Sequence, residues 1–176
     1  MTPRALRILG TLALLVLGFS YLYRIPVFLV RLPESRPHVF HLERVSTGDE
    51  IVLTYRHSVE KTQVKGIFRV SAAPCLQAAE TWMTSVGTGL PNTSSGRTRI
   101  QGEWIVVDEG LKEIENFRFF VSSVNQARMD TPSGGLELTV LPSGTIIEPV
   151  VEKMPVLMYA GYRIVAVIRQ LNFLDD

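Results

Sequence analysis

The sequence predicts an all-β fold, an antiparallel sandwich or barrel-like domain, preceded by one N-terminal transmembrane helix. Three observations carry this reading. Short stretches of alternating apolar and polar residues recur from Val39 onward, clusters of turn-forming residues separate them at short intervals, and an apolar run without a charged residue, Ile8 to Tyr23, stands ahead of them all. Strands punctuated in this way indicate antiparallel pairing rather than parallel βαβ units.

The apolar run follows Arg4 and Arg7. It is on the short side of the roughly 20 residues that span a bilayer. Tyr21, Tyr23 and Arg24 supply side chains suited to a membrane interface. Residues 1–24 are therefore read as an uncleaved signal anchor, placing the chain in the cell membrane as a single-pass protein with its C-terminal domain extracytoplasmic. Arg24, Arg31 and Arg36, on the far flank, act against that orientation. A cleaved signal peptide is the alternative, although the nearest small-residue site, Gly18-Phe19-Ser20, runs into Tyr21-Leu22-Tyr23. Pro26, Pro33 and Pro37 predict an extended linker over residues 25–36, leaving residues 37–176 as the β domain.

Within that domain the strand candidates are Val39–Leu42, Ile51–Arg56, Val64–Val70, Leu76–Val86, Trp104–Val107, Phe117–Val121, Leu136–Leu141 and Thr145–Val151. Thr47-Gly48-Asp49, Asp108-Glu109-Gly110, Pro132-Ser133-Gly134-Gly135 and Pro142-Ser143-Gly144 mark turns. A short helical turn is expected around Gly110–Asn116. The stretch Val156–Ile168 is read as a hairpin turning at Ala160-Gly161, with Tyr162–Ile168 as the last strand. The alternative is a membrane-surface helix with Ile164, Ile168 and Leu171 on one face.

Composition narrows the function. The net charge is +1 and no lysine- or arginine-rich run is present, which argues against nucleic acid. The single cysteine, Cys75, forms no internal disulfide and lacks the clustered partners of a zinc site. Gly87-Thr88-Gly89 is not followed by Gly-Lys-Ser/Thr, so it is not a phosphate loop. No cofactor is expected. Trp82, Trp104 and Phe117, Phe119 and Phe120 read as packing residues.

Polar chemistry gathers at Arg56-His57-Ser58-Val59-Glu60-Lys61-Thr62, between two alternating strands. It contains one of the chain's three histidines, both signs of charge and two hydroxyls. A polar loop held by a rigid sheet is a common place for function. The segment His57-Ser58-Val59-Glu60-Lys61-Thr62 is similar to the H-S-V-E-K-T signature of domain-of-unknown-function family 1850. Phe68-Arg69-Val70, the loop Gly87-Thr88-Gly89-Leu90-Pro91 and Gly102-Glu103-Trp104 resemble later elements of the same family. The resemblance covers roughly Leu42 to Leu141. It implies a small exported or membrane-anchored bacterial protein associated with a tripartite (TRAP-type, TAXI) solute transporter, whose permease or substrate-binding protein would be the partner.

On their own terms, Lys61 and the hydroxyls of Ser58 and Thr62 suit a carboxylate, with His57 as a titratable donor. Gly87 and Gly89 allow backbone N–H groups to approach an anion. The expected ligand- or partner-binding surface is therefore His57, Ser58, Glu60, Lys61 and Thr62 together with Gly87, Thr88, Gly89, Pro91 and Asn92. A plain structural role is the competing reading, in which His57, Glu60 and Lys61 fix a hairpin by hydrogen bonds and an ion pair. No catalytic residue and no metal ligand is assigned. A hydrolase or metal-dependent enzyme using His57 and Glu60 is the alternative class, with His38 and His41 as further metal candidates. His57 and Ser58 point to opposite faces of an extended chain, and no G-x-S-x-G elbow is present.

Overall fold

The computed structural model describes residues 3–34, 39–84 and 98–172. It divides the chain into two compact units, one comprising residues 28–151 and the other residues 1–27 with 152–176. Among the described residues the strands form two sheets. The larger is built from β3 (Glu50–Arg56), β4 (Gln63–Val70), β5 (Leu76–Met83), β6 (Thr98–Gln101), β7 (Trp104–Glu113), β9 (Arg128–Thr131) and β10 (Gly134–Glu137), in the order β10-β9-β3-β4-β5-β7-β6. Its pairings are antiparallel throughout. The smaller has four strands, β1 (Arg24–Arg31), β2 (Val39–Arg44), β8 (Phe119–Phe120) and β11 (Ile146–Pro155), in the order β2-β1-β11-β8. The all-β expectation holds.

One core joins the two sheets. Ile51 and Leu53 of β3, Phe68 and Val70 of β4 and Met129 of β9 pack with Phe28 and Val30 of β1 and Ile147 and Val151 of β11. The opposite face of the large sheet carries paired charges: Glu50 binds Arg69 at 2.7 Å, and Arg128 bridges Asp130 and Glu137. Apolar on one face and charged on the other is what alternation in an antiparallel sheet produces.

The expected linker is instead a strand. β1 occupies an interior position of its sheet, and Val27, Phe28, Leu29 and Val30 are essentially inaccessible to solvent. A continuous apolar run suits a strand buried on both faces. Pro26 is tolerated because it stands at the strand's start. The expected last strand is also corrected: Val156–Asn172 forms helix α2. Leu157, Met158, Tyr162 and Val165 recur at helical spacing and Gly161 lies inside the helix, so its isoleucines and valines follow the helical period over their strand propensity.

Smaller corrections follow the same logic. Gly110–Asn116 is no helix, since β7 continues to Glu113 through positive-φ residues at Gly110 and Leu111. The Phe117–Val121 candidate shrinks to β8, and Leu136–Leu141 becomes β10 followed by a 3-10 turn over Leu138–Val140. Strands β6 and β9 are too short to carry a periodic signal in the sequence.

In the smaller unit, α1 (Pro3–Leu22) and α2 lie against each other, and Val156 N–H donates to Tyr23 O at 3.0 Å. Leu14, Leu15, Val16 and Leu17 are consecutive and each at least half exposed, with Leu14 at 71%. No helix among the described residues is long and apolar enough to cross a membrane, so α1 alone does not meet the transmembrane expectation.

Candidate functional site

The polar heptad becomes the tip of the β3–β4 hairpin. Pairing runs without interruption from Glu50↔Arg69 to Arg56↔Gln63, which delivers His57 to Thr62 as the connecting loop. Backbone bonds close it: His57 N–H donates to Thr62 O at 2.8 Å and Lys61 N–H to His57 O at 3.0 Å. Two side chains complete the closure. His57 Nδ1 accepts the Glu60 N–H at 3.2 Å, and Arg56 Nε donates to Lys61 O at 3.0 Å. Lys61 sits at φ +56°, in the left-handed region.

This geometry bears on the chemistry. A neutral imidazole offers one acceptor nitrogen, and in His57 that nitrogen is occupied by the turn. The other ring nitrogen is then the donor. Glu60 and Lys61 form no ion pair with each other among the described residues. Ser58, Val59 and Lys61 are exposed, while Thr62 Oγ1 is buried without a hydrogen-bond partner among the described residues. No group of three His, Cys, Asp or Glu residues is placed to hold a metal among the described residues.

The structure therefore joins His57, Ser58, Glu60, Lys61 and Thr62 in one loop. Gly87, Thr88, Gly89, Pro91 and Asn92 lie outside the described residues, as does His38. The chain enters that segment from Thr84, and the register Val64↔Met83 puts this end of β5 beside the tip's end of β4. Residues that sequence reasoning passed over support the tip from behind. Arg56 N–H donates to Asn125 O at 2.6 Å. Asn125 is itself buried, with Nδ2 donating to Phe120 O at 2.7 Å and Oδ1 accepting from Ser122 N–H. The Ser122-x-x-Asn125 spacing, a side-chain-closed turn, is the sequence signal that points to it. Just beneath the tip, Tyr55 packs edge-on against Phe119 at 5.2 Å, and burial pushes its phenol pKa up.

Two other places hold polar groups. At the opposite end of β4, a cavity of about 150 Å³ is lined by Arg31, Cys75, Ile114, Asn116, Phe117 and Glu148. Its Cys75 thiol is 3.0 Å from the Ser71 hydroxyl. On the charged face, Lys65 Nζ lies 4.5 Å from the centre of the Trp104 ring, Trp104 meets Trp82 at 6.1 Å, and Trp82 Nε1 donates to Glu80. The Arg99 guanidinium, 2.8 Å from Glu80, holds that carboxyl below its usual range. Trp82 and Trp104 thus pack on each other on this face, outside the core.

Fold and tip define a two-sheet antiparallel protein with a short polar hairpin closed by its own side chains. The family model for a domain of unknown function, DUF1850, matches residues 51–138, from the first core residue of β3 to the 3-10 turn. That is half of the chain, and the chain belongs to this family. Neither the curated proteins nor the solved structures contain a match.

Proposed function

We propose that the chain is a membrane-held accessory protein, with its β unit on the extracytoplasmic side and the His57–Thr62 tip as its contact surface. The partner in this reading is a TRAP-type (TAXI) transporter, through its permease or its substrate-binding protein. One observation carries the membrane part: from Ile8 onward α1 holds no charged residue, and Leu14, Leu15, Val16 and Leu17, which as consecutive residues go round the helix, are each at least half exposed. A helix hydrophobic all round belongs in a core or in lipid, and about 25 cal/mol per Å² is recovered when such surface leaves water. Leu157, Met158, Ile164 and Val165 on α2, which lies against α1 in the smaller unit, are exposed as well.

Fractionation and cross-linking test this reading. The full chain is expected in the membrane pellet after a high-salt wash, with the β unit open to protease added outside sealed cells. A tip-directed cross-linker at Ser58→Cys is expected to capture a transporter subunit. A chain that stays in the supernatant overturns the membrane reading, and a capture pattern unchanged when the cysteine is moved to exposed Ser143 overturns the contact surface.

A further inference from the structure

We infer that the hairpin tip is a carboxylate-binding site, using the His57 Nε2–H, the Lys61 ammonium and the Ser58 hydroxyl as donors. This rests on the reading of the tip as contact surface and names the chemistry that surface takes. The His57 ring is fixed by its Nδ1 bond to Glu60 N–H at 3.2 Å, which leaves the proton on Nε2, a nitrogen without a partner among the described residues.

Lys61 is the second observation. Its φ of +56° is a conformation that glycine or asparagine adopts with less strain. Its N–H and carbonyl are both engaged, by His57 O and Arg56 Nε, so the corner cannot relax without opening the loop. A lysine held there presents an exposed ammonium with no ion-pair partner among the described residues. Next in the chain, Thr62 Oγ1 is buried with its hydrogen-bonding capacity unspent among the described residues. A cation, a ring N–H and a hydroxyl together complement a carboxylate.

Charge agrees with an anionic ligand. Arg56 and Lys61 against Glu60 leave the tip with one net positive charge at neutral pH, which draws in an anion. The carboxylate comes either from a small free acid or from an acidic side chain of a partner protein.

The test is a titration of the isotopically labelled full chain in detergent micelles, followed by amide and imidazole NMR shifts at constant ionic strength. Acetate, a short Asp/Glu-rich peptide and inorganic phosphate are the probes. Saturable shifts confined to His57–Thr62 are expected with a carboxylate probe. Response to acetate identifies a free acid, and response to the peptide alone identifies a partner's side chain. Lys61→Gly relieves the strained corner, so its melting temperature should stay level or rise, while affinity falls about tenfold or more, the equivalent of one charge-assisted hydrogen bond. His57→Asn, which retains a turn-capping acceptor, should weaken binding in a folded protein. The inference is overturned by shifts no larger than chloride produces, by equal response to phosphate, or by undiminished binding in Lys61→Gly. No transporter is present in this experiment, so its failure and a failure to capture a transporter are separate results.

Discussion

The imidazole Nδ1 of His57 accepts the backbone N–H of Glu60 at 3.2 Å, so the residue that opens the tip also caps its turn. His57→Ala removes that acceptor and should lower stability by about 0.5–1.5 kcal/mol. His57→Asn should restore most of the loss. Urea midpoints of the three proteins measure both effects, and equal midpoints for Ala and Asn would show that the cap contributes nothing.

Asn125 supports the same tip from a neighbouring turn. Its side chain satisfies Phe120 O and Ser122 N–H, and its carbonyl takes Arg56 N–H. Asn125→Ala takes the side-chain partner from the part-buried Phe120 O and Ser122 N–H and should cost about 0.5–1.5 kcal/mol. Amide exchange at Arg56 should speed up in the variant, because the turn holding its acceptor loosens.

A glycine inside β4 is also determined by its neighbour. The Phe68 ring lies over Gly66, and a Cβ at that position would meet the ring at 3.0 Å. Phe68 packs in turn on Phe117 at 5.0 Å. Gly66→Ala forces this pair outward and should cost about 1–3 kcal/mol, the range for overpacking. A thermal melt that is unchanged would show that the ring swings aside freely.

Glu43 makes stability depend on pH. Burial pushes its carboxyl pKa up, but the Ser133 N–H, 3.0 Å from Oε2, and the His41 imidazole, 3.5 Å from Oε1, outweigh it and hold the pKa below the ordinary value. A folded-state pKa below the unfolded one means stability present above the unfolded value, about 4.3, and lost as pH falls through the lower folded value. Glu43→Gln should therefore be less stable than the native chain at neutral pH, by about 1–3 kcal/mol. The gap should close in acid, and denaturant melts across pH read it directly. A gap that is constant with pH would assign the loss to packing alone.

By contrast, the exposed Glu50–Arg69 pair at 2.7 Å should contribute only about 0–1 kcal/mol. A double-mutant cycle with Glu50→Ala and Arg69→Ala measures the coupling, which should shrink further in salt.

Strands β3 and β4 and the loop joining them are readable from the residues alone. Ile51, Leu53, Val64, Phe68 and Val70 alternate with polar neighbours, and a pattern of period two states which face is buried without any knowledge of the partner. The clustering of His57, Ser58, Glu60, Lys61 and Thr62 follows, because all five lie in one short connection. The tertiary structure decided the rest. The residues of β1 read as linker until β2 and β11 flank them, and α2 reads as strand or helix until its apolar residues fall on a helical period. Glu43 acquires its role only from Ser133, ninety positions away, and Arg56 its support only from Asn125. Local patterning encodes which side of an element is apolar, whereas the partner of a buried polar group is set by chain segments brought together from a distance, and no local pattern carries that information.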